Sequence, residues 1–439
     1  MQYRPAMLYY IDPFGCAKNQ VDAEIIMARL NQAGWASIDD PHKADLIIVN
    51  SCAFIETAKQ ESINAVLTWK KQYPEKKILL AGCLSQRYRS ELEENLSEAD
   101  GFLGCTELDN SAEKAAELIG LSSPKLPKAR GPGLRPLLGF PGSAYIKISE
   151  GCSNNCSYCA IPLIRGPLQC RSIPNIIEEC KKLLNRDIKE LCLIGQDLAS
   201  YNNNDKGLAD LLKAIAALPG NFWLRLLYLH PDHFPLDILD IIAGDKRFLP
   251  YFDIPFQHAS PRLLSLMGRN GNAESYLHLL DTIRAGLPDA VIRSTFLVGF
   301  PSESEEDFIK LLDFQEKARF DWLGIFTFSR EEGTAAYSMK GRISKKIAQL
   351  RKTLMEQNQI PITEENMNRF IGRTMDVLVE EAIDDLWLGR VFCQAPEVDG
   401  AAVIQTEKQA GNIDKAPKPG DMIRGTVVGR AGFDLEITV

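Results

Sequence analysis

The stretch Gly151-Cys152-Ser153-Asn154-Asn155-Cys156-Ser157-Tyr158-Cys159 spaces three cysteines as C-x3-C-x2-C. It comes directly after residues 144–149, which have the pattern of a strand. Three thiolates on one loop can bind three irons of a 4Fe–4S cluster and leave the fourth iron open to an exogenous ligand. A zinc site is the competing interpretation, but zinc prefers four ligands, and no fourth Cys or His has a suitable spacing. The stretch therefore predicts an iron–sulfur loop at the end of a strand.

The residues after this loop repeat a strand–helix pattern. Further strands are predicted at 190–195, 223–229, 251–255, 291–298 and 322–328, with helical stretches between them. Six repeats favour an α/β fold with a partial parallel (β/α)6 barrel over an open sheet. Function in such barrels lies at the carboxyl ends of the strands. The cysteine loop follows the first of the six strands, so it falls on that functional edge.

Other strand ends supply candidates for cofactor binding. Polar groups at these ends face the ligand, whereas strand interiors fill the core. The His230-x-x-His233 pair is predicted to be a hydrogen-bonded turn rather than a metal site. Cys170, Cys180 and Cys192 are predicted to be buried small side chains. The cofactor-binding candidates on this edge are Gln196, Gln257, Arg293 and Val298.

The first 121 residues repeat a second pattern, a strand followed by a cysteine and then a helix. Residues 7–11 lead to Cys16 and a helix at 21–32, residues 46–50 lead to Cys52 and a helix at 56–70, and residues 77–81 lead to Cys83. Alternating strands and helices predict a parallel α/β sheet with all three cysteines at one edge. They could hold a second three-thiolate cluster or be unrelated buried thiols. Cys105, after a possible strand at 101–104, could be mistaken for a fourth ligand.

The rest of the chain divides into a linker, a helix and a small β domain. Residues 122–141 are rich in Pro, Gly, Leu and basic residues without periodicity, which is typical of a linker. Residues 142–369 comprise the barrel and a polar helix that starts near residue 344. Residues 370–439 then predict a five-stranded β-barrel, with strands at 374–379, 387–393, 401–405, 422–428 and 435–439.

Composition describes a globular protein of several domains. The chain has 439 residues, of which 45% are hydrophobic and 25% are charged, with a net charge of −8. The first residues, MQYRPAMLYYID, lack the apolar core of a signal peptide, and no run of 18 apolar residues could span a bilayer. We therefore expect a cytoplasmic protein. The 11 cysteines are expected to be ligands or buried thiols rather than disulfides.

The central cysteine loop on the first strand of a six-repeat barrel resembles the radical S-adenosylmethionine (SAM) superfamily. That resemblance covers most of residues 142–330. It implies that the amino and carboxylate groups of SAM chelate the open iron. It also implies that reduction yields a 5′-deoxyadenosyl radical, which abstracts a hydrogen from an unactivated carbon. Tyr158 resembles the aromatic residue that members place near the adenine, although a lone aromatic could equally be core packing.

The N-terminal cysteine segments resemble those of the methylthiotransferase family, which also has a radical SAM centre and a C-terminal TRAM domain. The resemblance covers essentially the whole chain and makes no use of Cys105. It implies two 4Fe–4S clusters, with one SAM as the methyl donor and a second SAM as the radical source. The implied ligands are Cys16, Cys52 and Cys83 for one cluster and Cys152, Cys156 and Cys159 for the SAM-chelating cluster. The segments are Gly15-Cys16-Ala17-Lys18-Asn19, Asn50-Ser51-Cys52-Ala53-Phe54 and Ala81-Gly82-Cys83-Leu84.

Two features favour a protein substrate within that family. Residues 372–439 carry seven Lys and Arg against twelve Asp and Glu, a balance of −5, whereas an RNA-binding module should present a basic face. Residues 227–233 and 395–400 resemble the branch that modifies an aspartate β-carbon of small-subunit ribosomal protein S-twelve. This basic protein is the predicted substrate, and a low-potential electron donor is expected. The alternatives are an enzyme acting on adenosine in transfer RNA and an iron–sulfur redox or sensor protein.

Overall fold

A computed structural model describes residues 7–122, 126, 135–384, 386–405 and 416–439. Most of the predicted linker, residues 123–125 and 127–134, lies outside the described residues. Among the described residues, no helix is both long enough and apolar enough to cross a membrane.

The N-terminal part forms a five-stranded parallel sheet with strand order β2-β1-β3-β4-β5, as the sequence predicts. The central strand β3 is buried at every position, because helices cover both faces of the sheet. The strands are β1 (Leu8–Pro13), β2 (Ala36–Ser37), β3 (Leu46–Ser51), β4 (Lys77–Gly82) and β5 (Gly101–Gly104). The helices are α1 (Ala17–Gln32), α2 (Glu56–Gln72), α3 (Cys83–Arg87), α4 (Arg89–Asn95) and α5 (Ser111–Leu118).

The central part is built on six parallel strands that neighbour one another in chain order, β6-β9-β12-β13-β14-β15. Two short hairpins, β7 with β8 and β10 with β11, decorate this sheet. The result is the predicted six-repeat α/β arrangement. The strands are β6 (Ser143–Lys147), β7 (Ser149–Glu150), β8 (Gln169–Cys170), β9 (Glu190–Ile194), β10 (Asn202–Asn203), β11 (Lys206–Gly207), β12 (Trp223–Leu226), β13 (Phe248–Asp253), β14 (Val291–Val298) and β15 (Trp322–Thr327).

Helices pack on the outer face of these strands around an aromatic core. Phe256, Phe296, Phe314 and Phe320 are fully buried, and their rings contact one another at centroid distances of 5.5–5.9 Å. Contacts of this kind stabilise the layer beyond simple area burial. The helices are α6 (Ile161–Arg165), α7 (Ile173–Leu184), α8 (Leu208–Ala216), α9 (Ile238–Gly244), α10 (Pro261–Leu266), α11 (Ala273–Gly286), α12 (Glu305–Ala318) and α13 (Lys345–Asn368).

The C-terminal part is a closed five-stranded barrel of order β16-β17-β18-β20-β19. Its strand pairs are antiparallel except for β18 with β20. Closure leaves no free sheet edge. The strands are β16 (Thr374–Ile383), β17 (Leu386–Arg390), β18 (Ala402–Gln405), β19 (Met422–Ala431) and β20 (Asp434–Thr438).

The predicted strand at 387–393 is wrong in its second half, since β17 ends at Arg390. Residues 391–400 leave the C-terminal barrel, and Val391, Cys393 and Ala395 are buried against the central strands. The same cluster contains Trp223, Val291 and Trp322, which open β12, β14 and β15. The 391–400 segment therefore closes the amino end of the central barrel, opposite the edge that carries the cysteine loop.

A buried ion triad joins the two barrels at this closed end. Glu190, the first residue of β9, accepts from Arg225 Nε at 2.8 Å and from Arg390 Nη2 at 2.6 Å. Burial opposes the ionisation of Glu190, but the two guanidinium groups outweigh it and hold the pKa of this carboxyl at about 2. Arg390 also donates to Glu380 Oε1 at 2.6 Å. Charges from both domains are thus neutralised together in a buried interface.

Candidate active site

The three N-terminal cysteines lie at one edge of the first sheet. Cys16 immediately precedes α1, Cys52 follows β3, and Cys83 follows β4. Strands β1, β3 and β4 are direct neighbours, and their last residues are paired in register. The carboxyl ends of parallel strands meet at the same edge of a sheet, so the fold brings the three loops together.

The loops that carry Cys16, Cys52 and Cys83 pack closely against one another. A Cβ added at Gly15 would lie only 3.1 Å from Cys52 Cβ. Asn19 Nδ2 donates to the carbonyl oxygens of Asn50 and Ser51 at 3.2 Å each, and Asn19 Oδ1 lies 3.8 Å from Cys83 Sγ. Asn19 therefore ties the helix after Cys16 to the loops of Cys52 and Cys83. Sequence reasoning assigned no role to it.

The charges of these thiols influence one another. Burial raises the pKa of Cys52 to about 11, and the neighbouring Cys83 and Cys16 thiols raise it further. A hydrogen bond from the Cys105 thiol lowers the pKa of Cys83 to about 7, assisted by the Arg165 guanidinium. Cys105 itself is buried, and its thiol also lies 3.7 Å from the carbonyl oxygen of Ile164. Thiolates are the form that binds iron, so a cationic neighbour at Cys83 favours ligation.

The central cysteine loop requires a glycine at residue 151. Gly151 has φ +72°, and a Cβ there would lie 2.3 Å from the carbonyl oxygen of Pro167 and 2.5 Å from that of Gly166. Cys152 N donates to that Gly166 oxygen at 3.1 Å, while Asn154 N donates to Cys152 Sγ at 3.4 Å. The backbone of the returning chain thus seats the first cysteine and leaves no room for a side chain at residue 151.

The other two loop cysteines are fixed by α10 and by the loop itself. Cys159 N donates to the Cys156 carbonyl oxygen at 3.1 Å, and Ser157 N donates to that of Met267 at 2.9 Å. Burial raises the pKa of Cys159 to about 12, and the neighbouring Cys156 and Cys152 thiols raise it further. Three thiolates in this half-buried turn would repel one another, which favours occupation by a cationic iron centre.

Replacing Gly151 with Ala is expected to lower iron binding at the central loop. The methyl group would collide with two backbone oxygens, and φ +72° is strained for any L side chain. The loop must move, so we expect a loss of up to about four irons per chain on anaerobic reconstitution. Gly220→Ala is the matched control, because Gly220 also has a positive φ but a Cβ there meets nothing within 4 Å. A Gly151→Ala protein with the iron content of the control would contradict the steric argument.

The five predicted cofactor-binding residues occupy different environments. Tyr158 packs against the cluster of Leu263, Met267, Leu297, Phe300 and Ala336, so the core-packing interpretation fits its surroundings. Val298 is fully buried at the end of β14. Whether any of the five contacts a cofactor stays a prediction.

Of the polar members of that set, Gln196 and Gln257 follow the carboxyl ends of β9 and β13, whereas Arg293 is the third residue of β14 and lies away from the carboxyl edge. Gln196 Nε2 donates to Glu150 Oε1 at 3.2 Å, and Gln196 Oε1 is buried without a hydrogen-bond partner among the described residues. Gln257 adopts φ +68° and bridges to β14 through its backbone. Arg293 lies 3.4 Å from Asp253 and, through Nε, 3.4 Å from Asp399 of the 391–400 segment. The unpaired Gln196 oxygen is available to a ligand at the carboxyl edge.

The two histidines form a turn, as predicted. Asp232 N donates to His230 Nδ1 at 3.3 Å, and His233 Nε2 lies 2.6 Å from Asp197 Oδ2 and 2.8 Å from Ser200 Oγ. Their rings stack at 4.6 Å. Across the part of the chain that the structure describes, no group of three His, Cys, Asp or Glu residues is arranged to hold a single metal ion.

The donor set nevertheless suits iron–sulfur clusters. Each thiolate ligates a different iron of a 4Fe–4S cluster, so the thiols surround a group larger than one ion. Two sets of three thiols, each with a basic residue beside it, match that need. Arg165 donates to Cys83 Sγ at 3.1 Å. Burial opposes the charge of Arg269, but Tyr158 and Cys156 outweigh it and raise the pKa of this guanidinium group.

Sequence reasoning missed these two arginines. Arg165 ends α6, six residues after Cys159, and also donates to Asp22 at 2.8 Å and Glu150 at 2.7 Å. It therefore connects the N-terminal sheet with the central loop. Arg269 Nη1 donates to the Pro255 carbonyl oxygen at 2.5 Å, and its Nε is buried without a partner among the described residues. Nothing in the local sequence distinguishes either arginine from a surface residue, because their partners are distant in the chain.

Comparison with known families agrees with this three-part architecture. Residues 8–104 match the family described as Uncharacterized protein family UPF0004, residues 146–314 match the Radical SAM superfamily, and residues 371–439 match the TRAM domain. The ribosomal protein uS12 methylthiotransferase RimO of Treponema denticola is 46% identical over 97% of this chain and 99% of its own length. The chain belongs to the RimO methylthiotransferase family.

Further relatives and solved structures extend the comparison. The RimO protein of Clostridium kluyveri is 40% identical over 96% of this chain and 95% of its own length. The radical SAM methyltransferase TsrM from Kitasatospora setae, solved with cobalamin and a [4Fe-4S] cluster, has a TM-score of 0.55 and 16% identity over 76% of this chain and 77% of its own. The similarity to TsrM shows a shared fold. The family membership confirms a radical SAM methylthiotransferase with the predicted α/β, barrel and TRAM parts.

Proposed function

We propose that this protein adds a methylthio group to the β-carbon of an aspartate in ribosomal protein uS12, the small-subunit protein S-twelve. The observation that supports the proposal is that Arg165 links two sets of three cysteines that lie in different domains. Arg165 contacts Cys83 of one site and follows the loop of the other by six residues. The RimO relatives carry the name of this activity.

Cys16, Cys52 and Cys83 would hold one 4Fe–4S cluster, and Cys152, Cys156 and Cys159 would hold the second. When bound at the second set, a cluster with SAM supplies a radical that can take hydrogen from an unactivated carbon. The protein's own residues hold the two sites together. Lys147 and Arg165 pair with Asp22 and Glu150 at 2.5–2.8 Å, so buried charges across the interface are compensated.

The acidic C-terminal domain supports a basic protein partner. Residues 372–439 carry a balance of −5, and complementary charge steers encounter with a basic ribosomal protein. An RNA substrate would instead be repelled by this domain. The proposal places the reaction in the cytoplasm and requires a low-potential electron donor. The sulfur donor is not assigned.

Mass analysis of uS12 from cells that lack and then regain this gene tests the proposal. The expected result is a methylthio mass on one aspartate that disappears on deletion and returns with the wild-type gene. Transfer-RNA nucleosides from the same cells are expected to stay unchanged. Loss of methylthioadenosine with unmodified uS12 in all strains would instead support the RNA alternative. Formation of 5′-deoxyadenosine by the reduced protein with SAM would exclude a purely redox or sensor role.

A further inference from the structure

Lys18 places a buried positive charge at the junction of the two cysteine sites. It is the second residue of α1, two positions after Cys16, and only 8% of its surface is exposed. Its Nζ donates to the carbonyl oxygen of Gly195 at 3.2 Å, where β9 ends in the central barrel. The side chain thus reaches from the N-terminal sheet to the carboxyl edge of the central strands.

The ammonium group has no carboxylate partner within the described ranges of the chain. The ammonium group also lies over the ring of Tyr228, whose centroid is 3.3 Å from Nζ. An ammonium group has three N–H donors, and the Gly195 carbonyl takes one of them. By contrast, the buried Lys147 nearby forms ion pairs with Asp22 and Glu150. A buried ammonium group that forms no direct ion pair is costly, which points to a ligand that supplies one.

The surroundings define where that ligand must lie. Burial lowers the pKa of Lys18, and the charged groups near it are Cys16, Arg165, Asp253 and Glu150. These groups come from the N-terminal loop, the end of α6, the end of β13 and strand β7, which precedes the central cysteine loop. Cys16 is exposed, so the region beside Lys18 is reached from solvent on that side. A substrate carbon that must meet both cysteine sites would enter there.

We propose that the Lys18 ammonium binds the side-chain carboxylate of the acceptor aspartate. The two remaining N–H donors suit the two carboxylate oxygens, and the Tyr228 ring holds the ammonium in place through a cation–π contact. This inference rests on the proposed function and deepens it, because it assigns the group that recognises an acidic side chain. It makes Lys18 a specificity-determining residue against neutral side chains.

A double-mutant cycle between enzyme and substrate tests this assignment. Wild type, Lys18→Met and Lys18→Arg, each reconstituted anaerobically, are titrated with fluorescently labelled uS12 carrying either Asp or Asn at the acceptor position. We expect Lys18→Met to weaken binding of the Asp form about 30-fold and that of the Asn form less than about threefold. Lys18→Arg should retain most of the affinity for the Asp form. Lys43→Met is the matched control, since Lys43 is 68% exposed.

Three results would overturn the inference. Equal losses for the Asp and Asn forms would show that Lys18 acts on the fold rather than on the carboxylate. Unchanged binding of the Asp form by Lys18→Met would show no contact at all. Weaker binding of SAM alone by this variant would assign Lys18 to the cofactor. Iron content and the far-ultraviolet circular dichroism spectrum, compared with those of the wild type, check that the variant is folded and loaded. Wild type that neither binds nor modifies uS12 would remove the proposed function itself.

Discussion

Replacing Cys16, Cys52 and Cys83 together with Ala is expected to lower the iron content of the reconstituted protein from about eight to about four atoms per chain. The three thiols lie at adjacent strand ends, and the charges of Cys83 and Cys16 raise the pKa of Cys52. Removing all three leaves no thiolate set at that edge. Iron and sulfide counted per chain after anaerobic reconstitution measure the effect.

The same variant is expected to separate SAM cleavage from methylthio transfer. Reductive cleavage of SAM to 5′-deoxyadenosine should continue, because the central loop keeps Cys152, Cys156 and Cys159. Methylthio transfer to uS12 should fall below detection. The complementary triple Ala variant of the central loop should also retain about four irons but lose SAM cleavage altogether.

Cys105→Ala supplies the control for these iron counts. Cys105 is buried beside Cys83, and its thiol lies 3.7 Å from a backbone carbonyl oxygen. We expect the variant to keep about eight irons. A drop to about four would make Cys105 a ligand. About four irons in both the wild type and the N-terminal triple variant would mean that Cys16, Cys52 and Cys83 are structural.

Much of the fold follows from periodicity along the chain. Strand–helix alternation predicts parallel sheets, and parallel sheets place successive strand ends at one edge. The positions of Cys16, Cys52 and Cys83 could therefore be predicted although they are far apart in sequence. The central loop was still easier to recognise, because its three cysteines are local. Strand–helix alternation and local cysteine spacing can both be read from the order of residues along the chain.

Contacts between domains could not be predicted in this way. Lys18 and Arg165 look like ordinary basic residues until the domains pack, since their partners lie in another domain. Arg269 is equally hard to recognise, because its partner Pro255 is 14 residues away in the chain. The 391–400 segment has a strand-like apolar start, but its side chains are buried against the central barrel instead of extending β17. Tertiary burial overrides local propensity at such positions.

Replacing Glu190 with Gln is expected to destabilise the protein by about 3–5 kcal/mol, because it leaves two buried guanidinium groups without their shared counterion. Glu190 is fully buried between Arg225 and Arg390. The pKa of Glu190 is about 2 in the folded protein, below the 4.5 of an unperturbed glutamate. Its ionised form therefore stabilises the fold above about pH 4.5, and this contribution is lost as the pH falls towards 2. Urea midpoints of both proteins between pH 3 and pH 7 measure the difference.

Glu178→Gln is the control, since Glu178 forms an exposed i,i+4 pair with Lys182 on α7 and should leave the midpoint unchanged. The difference in urea midpoint between wild type and Glu190→Gln should narrow as the pH approaches 3. A difference that does not change with pH would show that the loss comes from packing.

Because Arg390 belongs to the C-terminal barrel and Glu190 to the central one, Glu190→Gln should also expose the 391–400 segment to limited proteolysis before global unfolding. Cleavage there would show that this ion triad holds the acidic domain against the closed end of the barrel that carries the active site.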